Sequence, residues 1–131
     1  AIGLAEAINY INNIGLNEIH EYEKTITKYL FEKLNQIENI EIIGPSPEID
    51  PDRASLATFY IKNIHSNDIA EILDSKGICI RSGHHCCQPL HRYIGIKSTA
   101  RISMNFTTNK EEIDIFIEKL KDTIDFLKIN S

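Results

Sequence analysis

The residues most capable of chemistry are concentrated in one stretch of seventeen, residues 82–98, with the sequence SGHHCCQPLHRYIGIKS. It holds three of the five histidines and two of the three cysteines, and Arg81 and Arg101 stand on either side of it. Connections longer than about 12–15 residues within a compact domain are usually functional or disordered. The apolar and aromatic residues in this one argue against disorder. We therefore predict that the stretch carries the chemistry of the protein.

A nucleophilic cysteine is the first chemistry that the spacing indicates. A thiol reacts as its thiolate, which nearby positive charge and hydrogen-bond donors favour. Arg81, His84 and His85 all lie within five residues before Cys86. We therefore predict that Cys86 is the nucleophile and that these three residues support it. Cys87 is expected to be either a second thiol or simply a small residue.

A metal site is the competing interpretation, because histidine and cysteine are the usual zinc ligands and His91 adds one more to the set. Ligand pairs in structural zinc sites are usually separated by two to four residues, whereas the histidines and cysteines here stand directly beside one another. Adjacent side chains cannot both turn comfortably toward one ion. We therefore predict that the stretch binds no metal.

Three other residues are expected to have no part in the chemistry. Cys79 stands between two isoleucines in a predicted strand, which favours a buried and inert side chain. Arg53 and Arg92 are interpreted as solvated surface residues.

The elements around the stretch predict an α+β domain. Periodicity and capping signals predict four helices, over 3–14, from Asn17 for about five turns, over 66–77, and from a capping box of Thr108 with Glu111. β-forming residues predict strands over 40–43, 55–61, 78–81 and 99–106. The order ααββαββα indicates a small, mostly antiparallel sheet that helices cover on one face, with the other face open for docking or chemistry. Alternation along the last strand places Arg101 on its polar side.

Composition and charge exclude several classes of function. Nineteen acidic residues against fourteen Lys and Arg give a net charge of −5, so neutralisation of nucleic-acid phosphates is not expected. No apolar run approaches the roughly 20 residues that span a bilayer. Three cysteines, an odd number, argue against a disulfide framework, and no signal peptide opens the chain. A reducing compartment is expected, either the bacterial cytoplasm or, as an alternative, a plastid stroma.

The first residues indicate a longer protein. The chain opens at Ala1, its only methionine is Met104, and helical periodicity is already established at Leu4. We therefore interpret residues 1–131 as a single domain taken from a longer chain, in which residues 1–15 belong to a connection between domains.

Residues 81–86 (RSGHHC), followed by residues 88–90 (QPL), resemble the active-cysteine loop of the SUF-type, or group II, pyridoxal-phosphate-dependent cysteine desulfurases. The pattern of that loop is R-[TS]-G-H-H-C-x-x-P-L. The similarity continues through the chain, including residues 3–23, 44–45 and 100–103, and it covers only the C-terminal part of the family's sequence. The resemblance implies the small C-terminal domain of a fold-type I enzyme related to the aminotransferases.

The resemblance also implies roles for the predicted site residues. In that family the cysteine of this loop attacks the sulfur of L-cysteine bound to pyridoxal phosphate, leaving alanine and a persulfide on the enzyme, and Cys86 occupies its position. The family's arginine fifteen residues later binds the substrate α-carboxylate, and Arg101 stands there. A guanidinium suits this task independently, because its planar fork matches a carboxylate. Arg81 is expected to assist with the carboxylate, to favour the thiolate or only to anchor the loop.

The cofactor, pyridoxal phosphate, is implied to be held mainly by a large domain outside this chain. None of the lysines here stands in the context of the family's cofactor lysine, so the 131 residues alone are predicted to be inactive. The resemblance further implies L-cysteine as substrate, a SufE-like sulfur acceptor, a role in iron–sulfur cluster assembly and a homodimer of the full-length chain.

Two alternatives stay open from the sequence. Selenocysteine lyases are close relatives of the same family, and their activity would depend less on Cys86 because selenium leaves more readily than sulfur. A free-standing α+β module that binds a metal or a protein without catalysis also fits the length and the missing cofactor lysine. Cys87 is a departure in either case, since small residues such as alanine or threonine often follow the family's nucleophile.

Overall fold

A computed structural model describes residues 1–129 of the chain. Helices and strands alternate in the order ααββαβαβα. The elements are α1 (Ile2–Ile14), α2 (Leu16–Leu34), β1 (Ile40–Ile43), β2 (Leu56–Ile61), α3 (Ser66–Ser75), β3 (Arg81–Gly83), α4 (Gln88–Ile94), β4 (Thr99–Ser103) and α5 (Lys110–Ile129).

The four strands form one antiparallel sheet in the order β1-β2-β4-β3. Side chains alternate between its two faces, so β2 buries Ala57 and Phe59 on one face and leaves Thr58 half-buried on the other. The register pairs Thr58 with Arg101, and Arg101 in turn with Arg81. Directly opposed residues share a face, so these three side chains form one polar row.

The core lies between the opposite face of the sheet and three helices. Ala57, Phe59 and Ala100 are fully buried there. Each of α2, α3 and α5 contributes an apolar stripe at helical spacing, whose most buried members are Ile26, Leu30, Leu34, Ile69, Leu73, Ile113, Phe116 and Leu120. This packing confirms the predicted α+β fold with helices on one face of a mostly antiparallel sheet.

Helix α1 lies outside this core, and all of its residues are at least partly exposed. It ends at Gly15, whose φ of 98° an L side chain rarely adopts and whose N–H donates to Ile11. Beyond α2, it contacts the rest of the domain through the ring of Tyr10, whose centroid lies 6.4 Å from that of the Phe106 ring. Within residues 1–129, none of the helices has both the length and the apolar character that crossing a membrane requires.

Two predicted elements differ from the structure in register. The strand expected over 78–81 is instead Arg81–Gly83, because its partner β4 ends its pairing at Arg81 opposite Arg101. The expected capping box of Thr108 and Glu111 is shifted by one residue: Asn109 and Glu112 exchange the two backbone-to-side-chain hydrogen bonds at 2.9 Å. The last predicted strand also ends earlier, at Ser103.

Two predictions about single residues were wrong. Cys79 precedes the displaced strand, so its thiol is exposed rather than buried and lies 3.5 Å from Asp74, whose carboxylate raises the pKa of that thiol. Arg53 is not a solvated residue: its guanidinium lies 4.4 Å from the centroid of the Phe31 ring and donates to the Leu56 carbonyl at 3.0 Å. Arg92 is exposed, as predicted.

Candidate active site

A tight turn presents Cys86 at the end of β3. The backbone N–H of Cys87 donates to the carbonyl of His84 at 2.8 Å. The two residues between them, His85 and Cys86, have φ angles of 53° and 61°. Two consecutive positive φ angles are the signature of a type I′ turn, which normally requires glycine or asparagine. The thiol of Cys86 is thereby held at the exposed tip of the turn.

The backbone of this turn predicts an unusual effect of glycine on stability. The left-handed conformation costs an L residue roughly 1–2 kcal/mol, which glycine avoids. We expect Cys86→Gly to be about 1 kcal/mol more stable than Cys86→Ala, as measured by urea unfolding. At Cys79, which has no positive φ, the order of the same two substitutions should reverse, because glycine adds entropy to the unfolded chain. Equal stability of the two Cys86 variants would contradict the strain assigned to the turn.

The thiol of Cys86 contacts the guanidinium group of Arg81, whose cross-strand partner is Arg101. The Nη2 of Arg81 donates to the Sγ of Cys86 at 3.5 Å. Arg81 is paired with Arg101 across β3 and β4, so both side chains project from the same face of the sheet. The turn thus brings the predicted nucleophile to the face that carries the predicted carboxylate ligand. A thiol and an arginine on opposite faces could not have acted on one small molecule.

The Arg81–Arg101 pair has no carboxylate partner within residues 1–129. Like charges directly opposed on neighbouring strands repel each other. The Nε of Arg101 is in addition buried without a hydrogen-bond partner among those residues. Unpaired buried donors are costly, so an anionic ligand that accepts from them would be bound strongly.

His85 forms the wall of the site beside this pair. Burial lowers the pKa of the His85 imidazole, the positive charges of Arg101 and Arg81 lower it further, and a backbone contact with Thr99 only partly opposes them, so the neutral ring is favoured. Both ring nitrogens are buried, and neither meets a hydrogen-bond partner within the described part of the chain. A neutral imidazole with two unsatisfied nitrogens is able to accept a proton from a ligand or donate one to it.

Binding of an anion should raise the pKa of His85 back toward its ordinary value. The anion would compensate the charges of Arg101 and Arg81, which leaves burial as the main remaining cause of the shift. By reciprocity, acetate should bind more tightly as the pH falls through the range in which His85 gains its proton. Imidazole NMR during an acetate titration at constant ionic strength measures both effects. His65 at the start of α3 provides the internal reference, and unchanged titration of His85 would rule out this coupling.

His84 and His91 complete the surroundings of the turn. The His84 ring is exposed and meets the His91 ring edge-on at 5.2 Å. His91 is only 5% exposed and lies in α4, a helix within the stretch for which the sequence predicts a loop. The signals for this helix were Pro89 in its first turn and the left-handed Gly95 at its end. The sequence alone offers His91 only as a metal ligand.

The histidines and cysteines of the site do not form a cluster of metal ligands. Among residues 1–129, no three His, Cys, Asp or Glu side chains are arranged to hold an ion. Both nitrogens of His91 are engaged in hydrogen bonds within the domain. Cys87 follows the turn at the start of α4, and its thiol is exposed beside that of Cys86.

Comparison with known proteins places this site in a family. A profile of the class-V aminotransferases matches residues 1–116. A probable cysteine desulfurase of Staphylococcus epidermidis is 44% identical over 126 residues, and one of Synechocystis is 45% identical over 126 residues. Each alignment covers 96% of this chain but 30% of the relative, so the chain spans about 30% of the length of the curated relatives that it matches.

Solved structures show the same fold. The apo cysteine desulfurase from Thermococcus onnurineus has a TM-score of 0.86 and 34% identity, over 95% of this chain and 30% of that one. The Escherichia coli cysteine desulfurase CsdA, described in its S-sulfonic acid form, has a TM-score of 0.83 over the same shares at 22% identity, a likeness of fold alone. Because the profile match covers most of its length, the chain belongs to the class-V aminotransferase family.

Proposed function

We propose that this chain is the C-terminal small domain of a pyridoxal-phosphate-dependent cysteine desulfurase. The observation that carries the proposal is the placement of the Cys86 thiol 3.5 Å from Arg81, on the sheet face shared with Arg101. The relatives named as cysteine desulfurases, of which this chain spans 30%, support it. Residues 1–131 would form one domain, with α1 as part of the connection to the remainder of the protein.

Cys86 is proposed to take the sulfur atom from L-cysteine. Its thiolate would form an S–S bond to the substrate sulfur while the C–S bond of the substrate breaks. The electron pair of that bond stays on carbon, which gains a proton to give alanine, and the sulfur remains on Cys86 as a persulfide. Pyridoxal phosphate, when bound, supplies the electron sink that makes this bond cleavable.

Arg101 is proposed to hold the substrate carboxylate, with Arg81 close enough to share it or to favour the Cys86 thiolate. The unpartnered Nε of Arg101 supports this role, because an incoming carboxylate would satisfy it. The donor set on this face, two guanidinium groups, a thiol and a neutral imidazole, fits the carboxylate and sulfur of an amino acid. It does not supply a Schiff-base amine, and we assign the groups that hold the cofactor to the part of the protein outside this chain.

The exposure of Cys86 favours onward transfer of the sulfur to another protein. We propose a SufE-like acceptor, in the SUF route to iron–sulfur clusters, and a homodimer of the full-length enzyme. The bacterial source of the relatives favours the bacterial cytoplasm over a plastid stroma. His84 is proposed as support for the turn, through its contact with His91.

The direct test is the formation of alanine from L-cysteine by the full-length protein loaded with pyridoxal phosphate. We expect stoichiometric alanine and sulfide in the presence of a reductant. Selenocysteine offered in parallel separates a desulfurase from a lyase: a rate with L-cysteine no higher than that of free cofactor, alongside rapid release of selenide, would contradict the proposal. The 131-residue chain with free pyridoxal phosphate should not exceed the rate of the cofactor alone.

A further inference from the structure

His91 is a buried histidine that connects the cysteine turn to the strand that carries Arg101. Its Nδ1 lies 3.0 Å from the carbonyl oxygen of Cys87, the residue after the thiol. Its Nε2 lies 2.9 Å from the Oγ1 of Thr99, which is 1% exposed and stands two residues before Arg101. One ring therefore joins both halves of the candidate site.

The partners of His91 determine how the ring is protonated. A carbonyl oxygen only accepts, so Nδ1 must carry the hydrogen that it donates to Cys87. In the neutral ring Nε2 is then an acceptor for the hydroxyl of Thr99 at 2.9 Å, and this hydroxyl's single hydrogen has the Gly83 carbonyl at 3.5 Å as a second acceptor. Both bonds lie in an environment that water does not reach freely, since His91 and Thr99 are buried. Losing the ring would leave each partner only a longer contact, since the Cys87 carbonyl also accepts from the His91 backbone N–H at 3.4 Å and the Thr99 hydroxyl lies 3.5 Å from the Gly83 carbonyl.

The same ring also limits where the turn residues can move. The His84 ring contacts it edge-on at 5.2 Å, and the His85 ring lies 6.1 Å away. His85 and Cys86 between them hold the left-handed backbone, a conformation that persists only where the surroundings enforce it. The hydrogen bond from Nδ1 to Cys87 fixes the C-terminal end of that turn.

We propose that His91 is a positioning residue, whose Nδ1–H holds the Cys87 carbonyl and thereby keeps the Cys86 thiol in contact with the Arg81 guanidinium group. It does not touch the reacting atoms. The role in turnover rests on the proposed function, since it takes Cys86 as the reacting thiol. The expected effect of His91 on the reactivity of the Cys86 thiol does not rest on that function.

Two matched substitutions of His91 distinguish the contribution of Nδ1 from that of Nε2. Asparagine places an amide N–H near the Nδ1 position, whereas glutamine reaches toward the Nε2 position. In the full-length protein, iodoacetamide alkylation at pH 7 is followed by peptide mass spectrometry, with exposed Cys79 as the internal reference thiol. We expect the Cys86:Cys79 rate ratio to stay within about twofold in His91→Asn and to fall about fivefold in His91→Gln, because the thiol leaves its charge-assisted contact with Arg81.

Turnover should show the same pattern. We expect kcat to fall about tenfold or more in His91→Gln with KM within about twofold, since a misplaced group affects the reaction more than binding. An unchanged alkylation ratio in folded His91→Gln, or an equal fall in His91→Asn, would overturn the proposal. If neither variant folds by circular dichroism, His91→Leu decides, because its apolar side chain of similar size lacks the Nδ1 donor to Cys87: a ratio reduced threefold or more supports the proposal, and an unchanged ratio overturns it.

The two proposals fail in different ways. A wild-type protein that forms no alanine, but whose alkylation ratio falls in His91→Gln, would refute the desulfurase proposal and leave the positioning role supported. If the wild-type protein is active but substitutions of His91 change neither the alkylation ratio nor kcat, the desulfurase proposal is supported and the positioning role is refuted.

Discussion

Replacing Cys86 by serine is expected to lower the desulfurase kcat of the full-length enzyme by about a thousandfold or more. A hydroxyl at neutral pH is almost entirely protonated and is a poor nucleophile toward sulfur, whereas a thiol beside a guanidinium reacts as its thiolate. The measurement is alanine formation from L-cysteine. KM should change little, because the carboxylate ligands stay in place.

Cys87→Ser is the matched control for this substitution. The thiol of Cys87 is also exposed and lies one residue further along the chain. Cys87 stands at the start of α4, however, and its thiol makes no hydrogen bond to Arg81 in the described part of the chain. We expect its kcat to remain within about twofold of wild type. Loss of activity in Cys87→Ser, with Cys86→Ser still active, would show that the nucleophile is Cys87 and not Cys86.

Replacing Arg101 by leucine should act mainly on KM for L-cysteine. A hydrogen bond to a charged group contributes roughly 1.5–3 kcal/mol, so we expect KM to rise about 10- to 100-fold. Lysine should restore only part of the affinity, because a single ammonium cannot make the two parallel bonds of a guanidinium. Steady-state kinetics of the full-length enzyme gives both constants.

Arg92→Leu controls for the loss of one positive charge near the site. Arg92 is exposed in the last turn of α4 and has no ion-pair partner within residues 1–129. We expect its KM to stay within about twofold of wild type. A comparable rise in both variants would show that general electrostatic attraction, rather than a specific ligand at Arg101, sets the affinity.

Much of the fold is predictable because its elements are locally encoded. The apolar spacing of α2 and α5 and the breaks at Gly15 and Gly44 locate the long helices and strand β1 closely. The start of β3 was not predictable in the same way. Residues 78–80 have strand-forming side chains, but pairing with β4 begins only at Arg81, although β4 itself continues to Ser103.

The candidate site, like the fold, has some features that local sequence predicts and others that depend on strand pairing. Residue types and spacing are enough to identify Cys86 and Arg101 as candidate site residues. The two left-handed residues at the tip of the turn and the opposition of Arg81 to Arg101 depend on how β3 pairs with β4, which the spacing does not specify. The sequence does not indicate the positioning role proposed for His91, because its hydrogen-bond partners are a backbone carbonyl and a buried hydroxyl, neither of which leaves a pattern in the sequence.

The most direct test of the central claim is to locate the sulfur after reaction. Full-length enzyme treated with L-cysteine, without reductant, is trapped with iodoacetamide, and its peptides are analysed by mass spectrometry. We predict the added mass of one sulfur atom on Cys86, and none on Cys79 or Cys87. Sulfur found first on Cys87, or alanine released with no sulfur on any cysteine of this chain, would contradict the account.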